Sequence, residues 1–157
     1  MREQLLPESD EDPKQFMRFW FSGLISGLES VNESARETIL RECGKACACS
    51  YTAGVFQEAR KNNADMGAFL AALAEKFPGT TYEPLSAETI RVRYSNCACD
   101  LVETGLVTSP LICGCSAYNL RENFERALER PATVTLERSI LQGASSCEFL
   151  VSLEKAR

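Results

Sequence analysis

The chain has 157 residues, 45% hydrophobic and 25% charged, with 17 basic and 22 acidic side chains and a net charge of −5. That length suits one domain able to bury roughly 70% of its unfolded surface, and the composition excludes a disordered chain. The acidic balance excludes the clustered Lys and Arg of a nucleic-acid footprint. The absence of histidine excludes Ser-His-Asp triads, Cys-His pairs and imidazole-ligated metals.

Residues 1 to 11 are polar and acidic and are expected to form a mobile tail, leaving a single α+β domain over residues 12 to 157. The first residues carry no signal-peptide pattern and no apolar run is long enough to span a bilayer. The expected compartment is therefore cytoplasmic, with no membrane partner, and thiols there stay reduced unless catalytic, redox-sensing or metal-bound.

Asp12-Pro13 is an N-cap followed by proline at the first helical position, and Phe16, Phe19, Trp20, Leu24, Ile25 and Leu28 follow at helical spacing. This first helix is apolar on one face, and Gly23 and Gly27 permit close approach by a neighbour. Ser30 with Glu33 forms a capping-box pattern that opens a second helix ending near Gly44. A third helix runs from about Ser50 to Lys61 and stops at Asn62-Asn63. A fourth, capped by Asp65, ends at Pro78-Gly79.

The period then changes. Ile90, Val92 and Tyr94 alternate with Arg91, Arg93 and Ser95, the pattern of a half-buried strand. Arg91 and Arg93 share a face that could hold a carboxylate. Residues 116 to 130 form a helix with Ala117, Leu120, Phe124 and Leu128 on one side and Pro131 as its stop. A closing hairpin runs from Thr133 to Leu141, turns at Gln142-Gly143-Ala144-Ser145, and returns with Cys147, Phe149, Val151 and Leu153 on one face. Helices first and antiparallel strands later give an α+β fold, the helices packed on a sheet formed mainly by the C-terminal half.

The eight cysteines are grouped. Cys47-Ala48-Cys49, Cys97-Ala98-Cys99 and Cys113-Gly114-Cys115 are Cys-X-Cys pairs, and Cys43 stands four residues before the first. Ser50, Ser116 and Asp100 follow them as helix caps, so each pair is expected just ahead of a helix N-terminus, where the dipole and free amides favour a thiolate. Small middle residues would let a metal or cluster approach the backbone. Cys97, Cys99, Cys113 and Cys115 could close one tetrahedral site, and Cys43, Cys47 and Cys49 make a second, three-ligand group. A thiolate set without imidazole suits zinc or an iron–sulfur cluster. Cys147, in the middle of an apolar strand face, is expected to be core.

The run Val134 to Val151 resembles the end of the 4-vinyl reductase-type small-molecule-binding domains and of the L-2-amino-thiazoline-4-carboxylic acid hydrolase family. Gly143, Cys147 and Phe149 match a strand, a glycine turn and Cys-X-Phe; Ala144 replaces the usual Asp, and Ser139 stands where the first family often has another cysteine. The resemblance implies helices on an antiparallel sheet with a cavity between them, which either senses a small molecule or hydrolyses a cyclic thio-compound.

Three functions follow. The first is a cytosolic small-molecule-binding or sensor domain with a thiolate-held metal. The second is a hydrolase using Cys115 or Cys49 as nucleophile, or a metal-bound water, with Glu137 or Asp100 as base. The third is an interaction domain whose thiols are inert.

Overall fold

A computed structural model describes residues 14–155. The expected tail and the Asp12-Pro13 cap lie outside the described residues. Helices come first: α1 (Lys14–Ser30), α2 (Glu33–Cys47), α3 (Ala53–Asn62) and α4 (Met66–Lys76). Strands β1 (Thr80–Pro84) and β2 (Thr89–Tyr94) follow, then a short α5 (Asp100–Glu103), the long α6 (Cys113–Leu128), β3 (Ala132–Arg138) and β4 (Cys147–Leu153). The four strands form one antiparallel sheet in the order β1-β2-β4-β3. This is the expected α+β fold.

Alternation puts Ile90, Val92, Phe149, Val151 and Leu153 on the inner sheet face, where they pack on Phe56, Phe69, Leu73, Leu120 and Phe124 of the helices. Three of the rings meet edge to face, Phe56 on Phe124 at 5.3 Å and both on Phe69 at 6.3 and 6.4 Å, each contact adding about 0.5 to 1.5 kcal/mol beyond area burial. The outer face carries ion pairs. Arg91 pairs with Glu83 at 3.4 Å, and Arg93 with Glu148 at 3.1 Å, so both arginines hold carboxylates of their own chain.

Several boundaries depart from the sequence expectations for physical reasons. The capping box at Ser30 does not form, because Ser30 Oγ donates to the Ser26 carbonyl and Asn32 caps α2 by accepting from the Ala35 amide. The second helix does not stop at Gly44. It continues to Cys47 and passes through a π-helical turn, Ala48–Thr52, directly into α3. Ser50 is therefore no cap; inside the π turn its hydroxyl donates to the Cys47 carbonyl at 2.6 Å. Ser116 caps nothing either, since α6 begins at Cys113 behind a 3-10 turn, Pro110–Ile112, whose cap is Ser109. Strand β1 was not expected, because Thr80 and Tyr82 are too few to show a period.

The closing hairpin forms as expected, with β3 ending earlier, at Arg138, where a bulge and a 3-10 turn, Ile140–Gln142, lead to Gly143 at φ 93°. That left-handed backbone suits glycine.

Candidate functional site

A cavity of about 590 Å³ lies between the inner face of the sheet and helices α1, α2 and α6. Cys43 and Cys47 project into it from successive turns of α2, the spacing that puts two side chains on one helix face. Cys113 and Cys115 enter from the first turn of α6, Cys97 and Cys99 from the segment ahead of α5, and Cys147 from β4. Seven of the eight cysteines thus face one space. Distant segments of sequence converge because α2 and α6 cross closely at Gly44 and Gly114, the latter against Leu40 of α2.

Cys49 is the exception. It is exposed and turned away, with its thiol beside the Arg126 guanidinium. Cys147 belongs to the core as expected, yet its sulfur also reaches the cavity wall. Of the four residues named for catalysis, Cys115 and Asp100 line the cavity, while Cys49 and the exposed Glu137 on the edge strand do not. Among the described residues, no three Cys, Asp or Glu side chains are arranged to hold a metal ion.

The rest of the wall is apolar and aromatic, with Phe21, Leu24 and Leu28 of α1, Ile112, Leu136 and Phe149, and the rings of Tyr82 and Tyr94. One polar strip crosses it. Thr52 Oγ1 donates to Asn123 Oδ1 at 3.0 Å, Asn123 Nδ2 donates to Asn119 Oδ1 at 3.0 Å, and the Asn119 amide reaches the Cys47 sulfur. The π turn supplies Thr52 to this strip. Such turns within helices recur at functional sites. Neither the strip nor the tyrosines was singled out from sequence; the available signal was Asn119 and Asn123, four apart and flanking the apolar face of α6.

Burial sets the charge state of the thiols. It raises Cys47, Cys113 and Cys147 above their ordinary value and, with the neighbouring thiols Cys99, Cys47 and Cys43, pushes Cys115 up to about 12. The polar side chains of Asn119 beside Cys47 and of Ser139 beside Cys113 oppose this only in part. The expected helix-terminal thiolates are thus corrected to neutral thiols at these positions, since desolvation penalises the anion and adjacent sulfurs repel further charge. Burial likewise holds the Tyr82 and Tyr94 hydroxyls protonated. Among the described residues, the lining has no Lys or Arg, and Asp100 is its one carboxylate.

A separate depression of about 290 Å³ between α2 and α6 is lined mainly by charged residues, among them the ion pair of Arg121 with Glu125 at 3.0 Å. Among the described residues, no helix is long and apolar enough to cross a membrane.

No family model matches the chain, and no curated protein does. Solved structures do resemble it in fold. The phenol-responsive sensory domain of the transcription activator PoxR, solved with phenol, matches with a TM-score of 0.58 at 8% identity over 87% of this chain and 74% of that one. An H-NOX protein from S. oneidensis in the Fe(II)NO ligation state matches with a TM-score of 0.53 at 12% identity over 99% and 83%. A trafficking protein particle complex subunit 3 from Naegleria fowleri, covalently bound to palmitic acid, gives 0.50 at 14% over 89% and 94%. A vinyl-4-reductase family protein from Methanocaldococcus jannaschii, the family suggested by the closing hairpin, gives 0.46 at 15% identity over 94% and 85%, too distant a likeness to argue from. The chain therefore shares a fold with the PoxR sensory domain and with the H-NOX protein.

Proposed function

We propose that this chain is a small-molecule-binding domain of the sensory kind, taking a neutral, mainly apolar ligand into the thiol-lined cavity. The observation that carries this is the cavity itself, whose volume of about 590 Å³ falls within the roughly 300 to 1,000 Å³ of ordinary ligand sites. Structures of the same fold contain phenol, palmitic acid or an iron-bound NO. The lining favours the first kind: its described residues offer no cation for a carboxylate, but it has aromatic faces and the Thr52-Asn119-Asn123 strip to receive one hydroxyl.

Thermal-shift and calorimetric titrations with phenol and with palmitate test this. Phenol is expected to raise the melting temperature of the wild-type chain and to lose that effect in Val102→Trp, which fills the cavity from a half-buried lining position. Binding of neither probe, or equal phenol binding by the filled variant, removes the proposal.

A second reading follows from the seven sulfurs around one space: thiolate ligation of zinc or an iron–sulfur cluster, with Cys97, Cys99, Cys113 and Cys115 as the first donors. Binding would draw the thiols together and release their protons, so affinity would rise with pH. Elemental analysis and a visible spectrum of anaerobically purified protein test it. Metal-free protein that folds normally and takes up no zinc counts against it.

A further inference from the structure

We infer that α1 is the interface through which two copies of this chain pair, antiparallel and about a two-fold axis near Gly23. The helix has two apolar sides that adjoin each other. One side faces inward: Leu28 is buried, and Phe21 and Leu24 line the cavity. The other carries Phe16, 74% exposed, Phe19, 73%, and Trp20, 56%, together with Gly23 and Gly27, which among the described residues have nothing within 4 Å of where a side chain would begin. At 3.6 residues per turn these five share a stripe roughly 100° wide. The rest of the helix is polar, with Lys14, Arg18, Ser22 and Glu29; an amphipathic helix turns its apolar surface to a partner, and among the described residues this stripe is left exposed.

The stripe is bulky at one end and small at the other, which makes it complementary to itself when reversed. Setting Gly23 against its own copy brings Phe19 over Gly27, Trp20 over Ser26 and Phe16 over Ser30. A two-fold interface has this form, with the same patch used twice. A parallel pairing would instead stack ring on ring and leave the small half gaping. The area is sufficient: with an aromatic side chain offering roughly 150 to 250 Å², the three rings present roughly 300 to 500 Å² per copy and cover as much small-residue surface on the other, so the pair buries on the order of 1,200 to 2,000 Å², the size of a stable interface. Because the inner side of the same helix walls the cavity, pairing also fixes that wall.

Sedimentation equilibrium of the full chain over the micromolar range tests this. The expected result is a species of twice the 17.4 kDa chain mass at the upper end, weakened about 30-fold or more by Phe19→Glu or Trp20→Glu and abolished by Gly23→Trp. Ser22→Glu, off the stripe, should leave it intact. Trp20 is the sole tryptophan, so acrylamide quenching of the wild-type chain should increase on dilution, which decides the matter even if a variant fails to fold. A monomer at every concentration, quenching independent of dilution, or a dimer indifferent to both Glu variants overturns the inference. So does a monomer that binds neutral phosphatidylcholine vesicles.

Discussion

Gly44 of α2 lies so close to the Cys115 carbonyl of α6 that no side chain fits between them. A Cβ there would also stand 2.7 Å from the Tyr118 Cβ and 2.9 Å from the Asn119 amide nitrogen. This crossing sets Cys43 and Cys47 opposite Cys115. Gly44→Ala would gain up to about 1 kcal/mol of helix propensity but must push two backbones apart, and overpacking of this kind costs about 1 to 3 kcal/mol. Two of the three obstacles are backbone atoms and the third is a Cβ, so the upper end applies. The expected result is a melting temperature lower by about 4 to 10 °C, read by calorimetry, together with weakened phenol binding.

Asn123 is 1% exposed and exchanges hydrogen bonds with Thr52 and Asn119. Asn123→Ala leaves the Thr52 hydroxyl without its acceptor and the Asn119 carbonyl without its donor. The expected loss is about 1 to 3 kcal/mol in denaturant unfolding. Asn119→Ala should cost less, because its bond to Thr52 is already long at 3.5 Å. Equal losses would show that the strip does not act as described.

Stability should fall on the alkaline side. Cys115 keeps its proton to about 12 in the folded chain, whereas an ordinary thiol releases it at 9.0. Its contribution is therefore complete below about pH 9 and is lost as pH rises from there towards 12, because the unfolded chain then binds fewer protons than the folded one. Tyr82 and Tyr94 act in the same direction above the ordinary tyrosine value of 10.0. Each such group contributes a slope of at most about 1.4 kcal/mol per pH unit. Melting temperatures measured against pH should stay level near neutrality and decline above pH 9, less steeply in Cys115→Ala. An unchanged slope in that variant would place the effect elsewhere.

Thiol labelling should follow the map of the cavity. Cys49, exposed and outside it, is expected to react first with a maleimide, and the buried Cys113 and Cys147 last. Phenol should slow Cys47 and Cys99 while leaving Cys49 unaffected. Mass spectrometry of partially labelled protein reads both. Protection of Cys49 would mean that the ligand sits outside the cavity.

Much of the fold was legible in the sequence because it is written in local periods. The alternation of Ile90, Val92 and Tyr94, the Asp65 cap and the glycine turn at Gly143 each act over a few residues, and each forms. The helix breaks at Gly44 and Ser50 were misplaced for a related reason. Glycine and serine signal ends when a helix stands alone, but Gly44 is needed for contact with α6, and packing on both sides carries the helix through.

The candidate site was legible as a set of residues and not as a geometry. Sequence alone determined that the chemistry here is sulfur without imidazole, that the fold is α+β, and that the cysteines are grouped. Tertiary structure decided that seven thiols share one cavity, that Cys147 replaces Cys49 among them, and that four are held neutral. The reason is physical: a helix dipole acts within one turn and is readable from sequence, whereas desolvation depends on everything packed around a sulfur and exists only once the helices have closed over the sheet.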